Sequence, residues 1–308
     1  MKTLDQALTD YLALRRGLGF KLRQDERRLK TFLSFLQERG ADHITSPLAL
    51  EWATQSPEWR PCAAQRLIDV RGFARYLVHF DPRTEVPPKG HLRPGGRAKP
   101  YLYTEGEIRR LMDAAEALPP LDGLRRWTYS CLFGLLAVTG LRISEALNLR
   151  REDVDLAEGV LTIRGTKFGK TRLVPLHPST QQSLLRYSQR RDSHLGDPRS
   201  PYFLVAERGG QLHSKHIYPV FHQLSRQIGL RGPDTPHRPR LHDFRHRHAS
   251  ETLLRWYKSG EDVEARLPIL STYLGHSNVR DTYWYLSAQP ELMHLAALRL
   301  QHRWRVLS

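Results

Sequence analysis

Through the first 82 residues apolar side chains recur at three- and four-residue spacing with almost no strict alternation, which is the period of helices and not of strands. Leu4, Leu8, Tyr11, Leu12 and Leu14 mark a first helix that Gly17 and Gly19 would end. Leu29, Phe32, Leu33, Phe35 and Leu36 form the apolar side of a second, stopped by Gly40. Ser46 and Pro47 read as the cap and first-turn proline of a third helix carrying Leu48, Leu50 and Trp52. A fourth is expected from about Ala63 to Phe80.

The pattern breaks between Asp81 and Pro100, a Pro/Gly segment with Lys89, Arg93, Arg97 and Lys99 and no acid after Glu85. Its prolines oppose regular structure, and its charge suits a tether crossing a phosphate backbone. We therefore expect a helical domain over 1–82, a basic linker over 83–100 and a second domain over 101–308. Thr104 followed by Glu107 is a capping box that opens the second domain's first helix. Helical spacing continues to about Leu149. Asp153 to Leu156, Val160 to Arg164 and Thr171 to Leu176 then read as three short strands, with turns at 157–159 and 167–170. The expected fold class is mainly α with a small antiparallel β-sheet.

Charge narrows the partner. The 308 residues hold 48 Lys+Arg against 32 Asp+Glu, a formal charge of +16 and a pI near 10.2, so a polyanion is expected. No apolar run approaches a spanning helix, and the first residues lack the apolar stretch of a signal peptide. These features place the chain in the cytoplasm, with the nucleoid, and without a membrane partner. Cys62 and Cys131 are the only cysteines, too few for a disulfide framework or a thiolate zinc site, and their apolar neighbours suggest buried thiols. From Arg15 to Arg39 eight cations face three acids; Arg15, Arg16, Arg27 and Lys30, with the linker's Lys89, Arg93, Arg97 and Lys99, are the candidate DNA contacts. A solvated helix face would look the same.

Four segments can carry chemistry. Arg142, after Gly140 and ahead of a helical run, could grip a phosphate with two parallel hydrogen bonds, or simply pair with Glu145. Lys167 sits at the tip of the expected hairpin, where its long stem can deliver a proton to a leaving alkoxide, although lysines in turns are usually only solvated. His242 and Arg245 lie three apart on one helix face and can meet one anion. The i, i+4 pair His242 and His246 could instead bind a metal, which the surrounding arginines disfavour. Last come His276 and the run Thr282-Tyr283-Trp284-Tyr285; a phenol with a pKa of about 10 is a poor nucleophile unless cations favour its anion.

In this order the segments resemble the tyrosine recombinases of the phage-integrase type. The likeness rests on Arg142 in Thr-Gly-Leu-Arg-x-Ser-Glu, Lys167 ahead of Arg-Leu-Val-Pro-Leu, His242-x-x-Arg245, Leu-Gly-His276, and Tyr285 nine residues on. It covers about 104–290, while the basic helical N-terminal part is similar in kind to the family's core-binding domain. The resemblance implies that Arg142, Arg245 and His276 bind the scissile phosphate of double-stranded DNA. His242 would help deprotonate Tyr285, and Lys167 would protonate the leaving 5′ oxygen. It further implies a 3′-phosphotyrosyl intermediate, a synaptic tetramer or heteromeric assembly, and no metal, ATP or other cofactor. A type IB topoisomerase, or a DNA-binding regulator of the same fold, would share much of this pattern.

Two departures matter. Arg245 and His276 are 31 residues apart, a longer interval than in compact Xer-type members, which brings the chain closer to transposon-borne integrases. Tyr283 competes with Tyr285 as nucleophile, and the interval from His276 favours Tyr285. The C-terminal stretch through Leu292, Leu295 and Leu298 could dock on a neighbouring protomer or pack on its own domain.

Overall fold

A computed structural model describes residues 2–55, 60–92, 99–165, 171–196, 200–232, 235, 238–287 and 290–307. The chain divides into two compact units, Met1–Ala98 and Lys99–Ser308.

The first unit is a bundle of four helices, α1 (Leu4–Gly17), α2 (Arg23–Glu38), α3 (Ser46–Thr54) and α4 (Arg60–Leu77). The periodic positions point inward: Leu29, Phe32, Leu36, Trp52 and Phe73 are almost wholly buried, and the Phe32 and Trp52 rings meet at 5.0 Å. The third helix starts one residue earlier than its sequence suggests. Thr45 is its cap, accepting from the Leu48 amide, and Ser46 is already helical.

The segment after α4 is no free tether, at least as far as Leu92. Thr84 is buried, Val86 and Leu92 pack on the bundle's core, and the Glu85 carboxylate accepts from the Ser46 amide at 2.7 Å. Arg71 of α4 donates to the Pro87 and Pro88 carbonyls at 2.7 and 2.8 Å. Prolines lack only the amide; their carbonyls remain good acceptors, so the segment lies down on the helices. Arg93 and Arg97 fall outside the described residues. Cys62 also departs from expectation. It is exposed, because the buried side of α4 runs through Ala63, Ala64, Leu67, Val70 and Ala74. Cys131 is partly covered, and burial pushes its thiol up to about 12.

The second unit begins with α5 (Glu105–Glu116), capped by the Thr104–Glu107 box, and α6 (Arg125–Thr139). A short α7 (Ile143–Leu147) leads to the sheet of β1 (Val154–Asp155), β2 (Val160–Ile163) and β3 (Arg172–Pro175). The strands are antiparallel in the order β1-β2-β3, with Leu161 opposite Val174, so that Leu161, Ile163 and Val174 turn one face to the core. The turn joining β2 to β3, with Lys167, lies outside the described residues.

Among the described residues there follow α8 (Pro178–Leu195), α9 (Ser214–Gln227), α10 (Asp243–Lys258), α11 (Val263–Leu274), α12 (Arg280–Ser287) and α13 (Pro290–Leu307). The main core gathers Leu111, Phe133, Phe221 and Phe244, each fully buried and worth roughly 1.5–3 kcal/mol relative to exposure. Helix α10 belongs to two cores. Phe244 faces the first, while Ala249 and Leu253 join Leu267, Leu270, Leu274, Tyr285 and Leu292 in a second, formed by α10 to α13. The last helix thus packs on its own chain, with Leu292 buried and Lys258 paired to Glu291 at 2.8 Å. Among the described residues no helix is long and apolar enough to cross a membrane.

Candidate active site

Helix α6 ends at Gly140, whose φ of 61° suits glycine, and the chain turns so that Arg142 stands immediately before α7 as its cap residue. The expected pair with Glu145 forms: the carboxylate accepts from the Arg142 amide at 2.9 Å and from its Nη1 at 2.8 Å. That pair aims the arginine. Glu145 is itself gripped by Arg172 of β3, whose Nη1 and Nη2 reach its two oxygens at 3.1 and 2.8 Å. Burial would raise the Glu145 pKa, but its bonds from Arg172 and Arg142 hold it at about 2, so it stays an anion among the cations.

Arg142, Arg172 and Arg245 then converge on the end of α11. Arg172 Nε donates to the Tyr273 carbonyl at 2.7 Å, Arg245 Nη2 to that of Leu274, and Arg142 Nη2 to that of Gly275 at 3.1 Å. A helix leaves its last carbonyls unpaired at the negative end of its dipole. Three guanidiniums from three elements satisfy them here. Arg245, only 1% exposed, also donates from Nη1 to the Gly140 carbonyl at 2.9 Å, joining the turns that carry Arg142 and His276. Glycine is needed at 275: φ is 67°, and a Cβ would sit 2.7 Å from the Arg172 guanidinium.

His276 follows at once, its amide closing on Ser271 at 2.9 Å. Its Nδ1 shares a 2.9 Å hydrogen bond with Thr282 Oγ1 of α12, and Thr282 is fully buried. Burial, then Arg245 and Arg142, push the His276 pKa down to about 4. The ring is therefore neutral at neutral pH, and with Nδ1 engaged the other nitrogen is left for a ligand.

Tyr285 is 3% exposed and stacks on His276, with centroids 5.9 Å apart and planes 16° from parallel. Its ring meets that of His246 at 5.2 Å and 65°, and His246 meets His242 at 5.0 Å and 87°. Burial lowers the pKa of Arg245, while Tyr285 acts on it in the opposite sense by charge and hydrogen bonding. Tyr283 is 53% exposed. His242 stands before α10 with an exposed edge; loss of solvent around its ring and then Arg245 lower its pKa. Among the described residues no group of three or more His, Cys, Asp or Glu side chains is placed to hold a metal ion.

The structure thus brings together Arg142, His242, Arg245, His276 and Tyr285. Arg172, Thr282 and His246 also belong to this region. Arg172 opens the Arg-Leu-Val-Pro-Leu run and Thr282 the run that ends at Tyr285, but neither run marks them for a role, and His246 stands out only as half of a metal pair. The candidate DNA contacts are more varied. Arg27 is exposed, as are Lys89 and Lys99. Arg16 and Lys30 both pair with Glu26, and Arg15 lies over the Phe20 ring at 4.0 Å. Arg28, in the same basic stretch, is paired with the buried Asp69.

Residues 102–291 match the profile of the Phage integrase family. The chain is 52% identical over 311 residues to a putative integrase/recombinase of Sinorhizobium fredii, y4rB, covering 99% of each. It is 29% identical to the tyrosine recombinase XerD of Mycobacterium tuberculosis, over 92% of this chain and 94% of that one. A solved structure of the Tn1549 transposon integrase in complex with transposon right end DNA has the same fold. The TM-score is 0.69 at 15% identity, with 98% of this chain and 99% of that one covered.

Proposed function

The chain belongs to the phage integrase family and is a tyrosine-type site-specific recombinase, and from that premise we propose that it breaks and rejoins DNA through a bond between Tyr285 and a 3′ phosphate. The observation that carries this reading is the setting of the Tyr285 ring. It is stacked on His276 and coupled to the buried Arg245, so the phenol has a guanidinium beside it that can favour its anion.

In the forward step the Tyr285 oxygen attacks phosphorus and the bond to the 5′ oxygen breaks. The phenol proton passes to His242, and Lys167 supplies the proton that the leaving oxygen takes up. Arg142 and Arg245 neutralise the non-bridging oxygens as charge builds on them, and His276 donates a further hydrogen bond. These arginines are fixed before substrate arrives, so little reorganisation is spent in the transition state. Two guanidiniums do the work a divalent ion does elsewhere, and the phosphotyrosyl bond conserves the energy of the broken one, so neither metal nor ATP is required. A 5′ hydroxyl from the partner strand then reverses the step.

Exchange of two duplexes breaks four strands, and each protomer offers one Tyr285. The working assembly is accordingly four protomers on two DNA sites, acting at the nucleoid on the ends of a mobile element.

The test begins with duplexes selected from random sequence by binding to the wild-type chain. These are nicked beside the scissile position so that the cut strand's short end diffuses away. The wild type should accumulate a DNA adduct that survives denaturation, and Tyr285→Phe should bind the same DNA and form none. An adduct persisting in Tyr285→Phe but lost in Tyr283→Phe would move the nucleophile; its absence in the wild type would reduce the protein to a DNA binder.

A further inference from the structure

Resting on the reading of Tyr285 as nucleophile, we propose that His246 is a positioning residue for it: a ring wedged between Tyr285 and His242 that sets where the phenol sits.

The Tyr285 ring is flanked by two imidazoles of different kinds. His276 lies against its face, held from behind by Thr282. His246 meets it with the rings 65° apart, and meets His242 almost perpendicularly on the other side. Tilted arrangements of this sort are preferred between flat rings, because the positive edge of one faces the negative face of the other. The ring of His246 therefore fixes two spacings at once, its own to the nucleophile and that of the nucleophile to the proton acceptor.

Three features argue that the ring matters and its nitrogens do not. His246 is 8% exposed and follows Arg245 on α10, so its backbone is as fixed as that of the buried arginine. Its Nδ1 is buried and has no hydrogen-bond partner, which is a cost to the fold and not a connection to the chemistry. The groups that act on it among the described residues are His242, Arg240 and Arg245, with Asp243 opposing them, and the ring of Tyr285 from α12. Burial first, and then His242, push its pKa down to about 4, so at neutral pH it is not an imidazolium acid.

Placement controls rate steeply when the attacking atom must lie in line with the leaving one. The full-length chain with His246→Ala should bind the selected nicked duplex within twofold of wild type, while the single-turnover rate of adduct formation at saturating protein falls roughly 30-fold or more. His246→Phe should restore the rate to within about threefold, with a pH–rate profile of unchanged shape, and should melt no lower than wild type because the orphaned nitrogen is gone. The proposal is overturned if His246→Ala cleaves at the wild-type rate. It is equally overturned if His246→Phe, folded and binding DNA normally, cleaves as poorly as His246→Ala or loses a limb of the pH profile, since the nitrogens would then be carrying a proton. If the alanine variant does not fold, the phenylalanine variant decides alone. Tyr285→Phe run alongside separates the two ideas: an adduct in that variant sinks the nucleophile, whereas a fast His246→Ala beside an inert Tyr285→Phe sinks only the role of His246.

Discussion

Arg142 and Arg245 donate to the carbonyl oxygens of neighbouring residues, Gly275 and Leu274, so that two guanidiniums separated by more than a hundred positions in the chain share one turn as their anchor. Arg245 reaches back to Gly140 as well, two residues ahead of Arg142. Neither arginine is placed independently of the other.

Coupling of this kind predicts that their losses do not add. Arg142→Lys and Arg245→Lys keep the charge but give up the planar fork that bridges carbonyl and phosphate. Each alone should lower the adduct-forming rate by about two to three orders of magnitude, the range found when one preorganised donor is removed from a transition state. The double variant should fall little further. Single-turnover cleavage of the three proteins measures this, and a fully multiplicative loss would mean that the arginines act separately.

Arg172 has no role in the proposed chemistry, yet it holds both Glu145 and the Tyr273 carbonyl from a buried position. Removing one partner of a buried ion pair leaves the other uncompensated and costs about 3–5 kcal/mol. Arg172→Ala leaves Glu145 with Arg142 as its remaining partner, so it should lower the unfolding free energy by less than that, about 2 kcal/mol, and reduce cleavage through Arg142. Urea denaturation checks the first point. An Arg172→Ala protein with wild-type stability would show that Arg142 alone compensates Glu145.

His246, His248 and His276 all have pKa values pushed down to about 4, in each case mainly by burial. A histidine depressed in the folded state binds protons only after unfolding once the pH drops below its ordinary value of about 6.5. Their contribution to stability is thus complete above about 6.5 and is lost as the pH falls from there toward 4. Glu145, held at about 2, adds loss in the same direction below the ordinary carboxylate range. Melting temperatures across pH 4.5 to 7.5 should be flat at the upper end and drop progressively below about 6.5. A melting temperature that rose on acidification would contradict this.

Lys167 is assigned the proton for the leaving 5′ oxygen. A sulfur in that position leaves as a thiolate without needing one, because thiols are far more acidic than alcohols. Lys167→Ala should cut an ordinary duplex at least about 100-fold more slowly than wild type, and recover most of that loss on a duplex with a 5′-bridging sulfur. No recovery would assign the proton elsewhere.

Much of this architecture is legible in the chain because it follows from local rules. The spacing of Leu29, Phe32 and Leu36 announces a helix, Thr104 with Glu107 announces where one begins, and the alternation around Val160 announces a strand. Arg142, His242, Arg245, His276 and Tyr285 stand out through their intervals. What could not be read is what depends on main-chain atoms and distant partners. A carbonyl has no letter in the sequence, so the anchoring of Arg142 and Arg245 is invisible there. Arg172 stands in the sequence only as the first residue of Arg-Leu-Val-Pro-Leu, and Thr282 only as the start of the run that ends at Tyr285. The Pro-rich stretch after α4 misleads because proline forbids helix and sheet but not packing, and Cys62 misleads because its neighbours are buried while its own direction on α4 is outward.

The row of carbonyls at the end of α11 has one more consequence. Arg172, Arg142 and Arg245 hold to three successive residues of a single helical turn, so if that turn frays, all three lose an anchor at the same moment. The guanidiniums then loosen as a set and not one at a time. For a site-specific recombinase, the dangerous state is the one that can open a strand but not close it, and a site whose cations loosen together spends less time there.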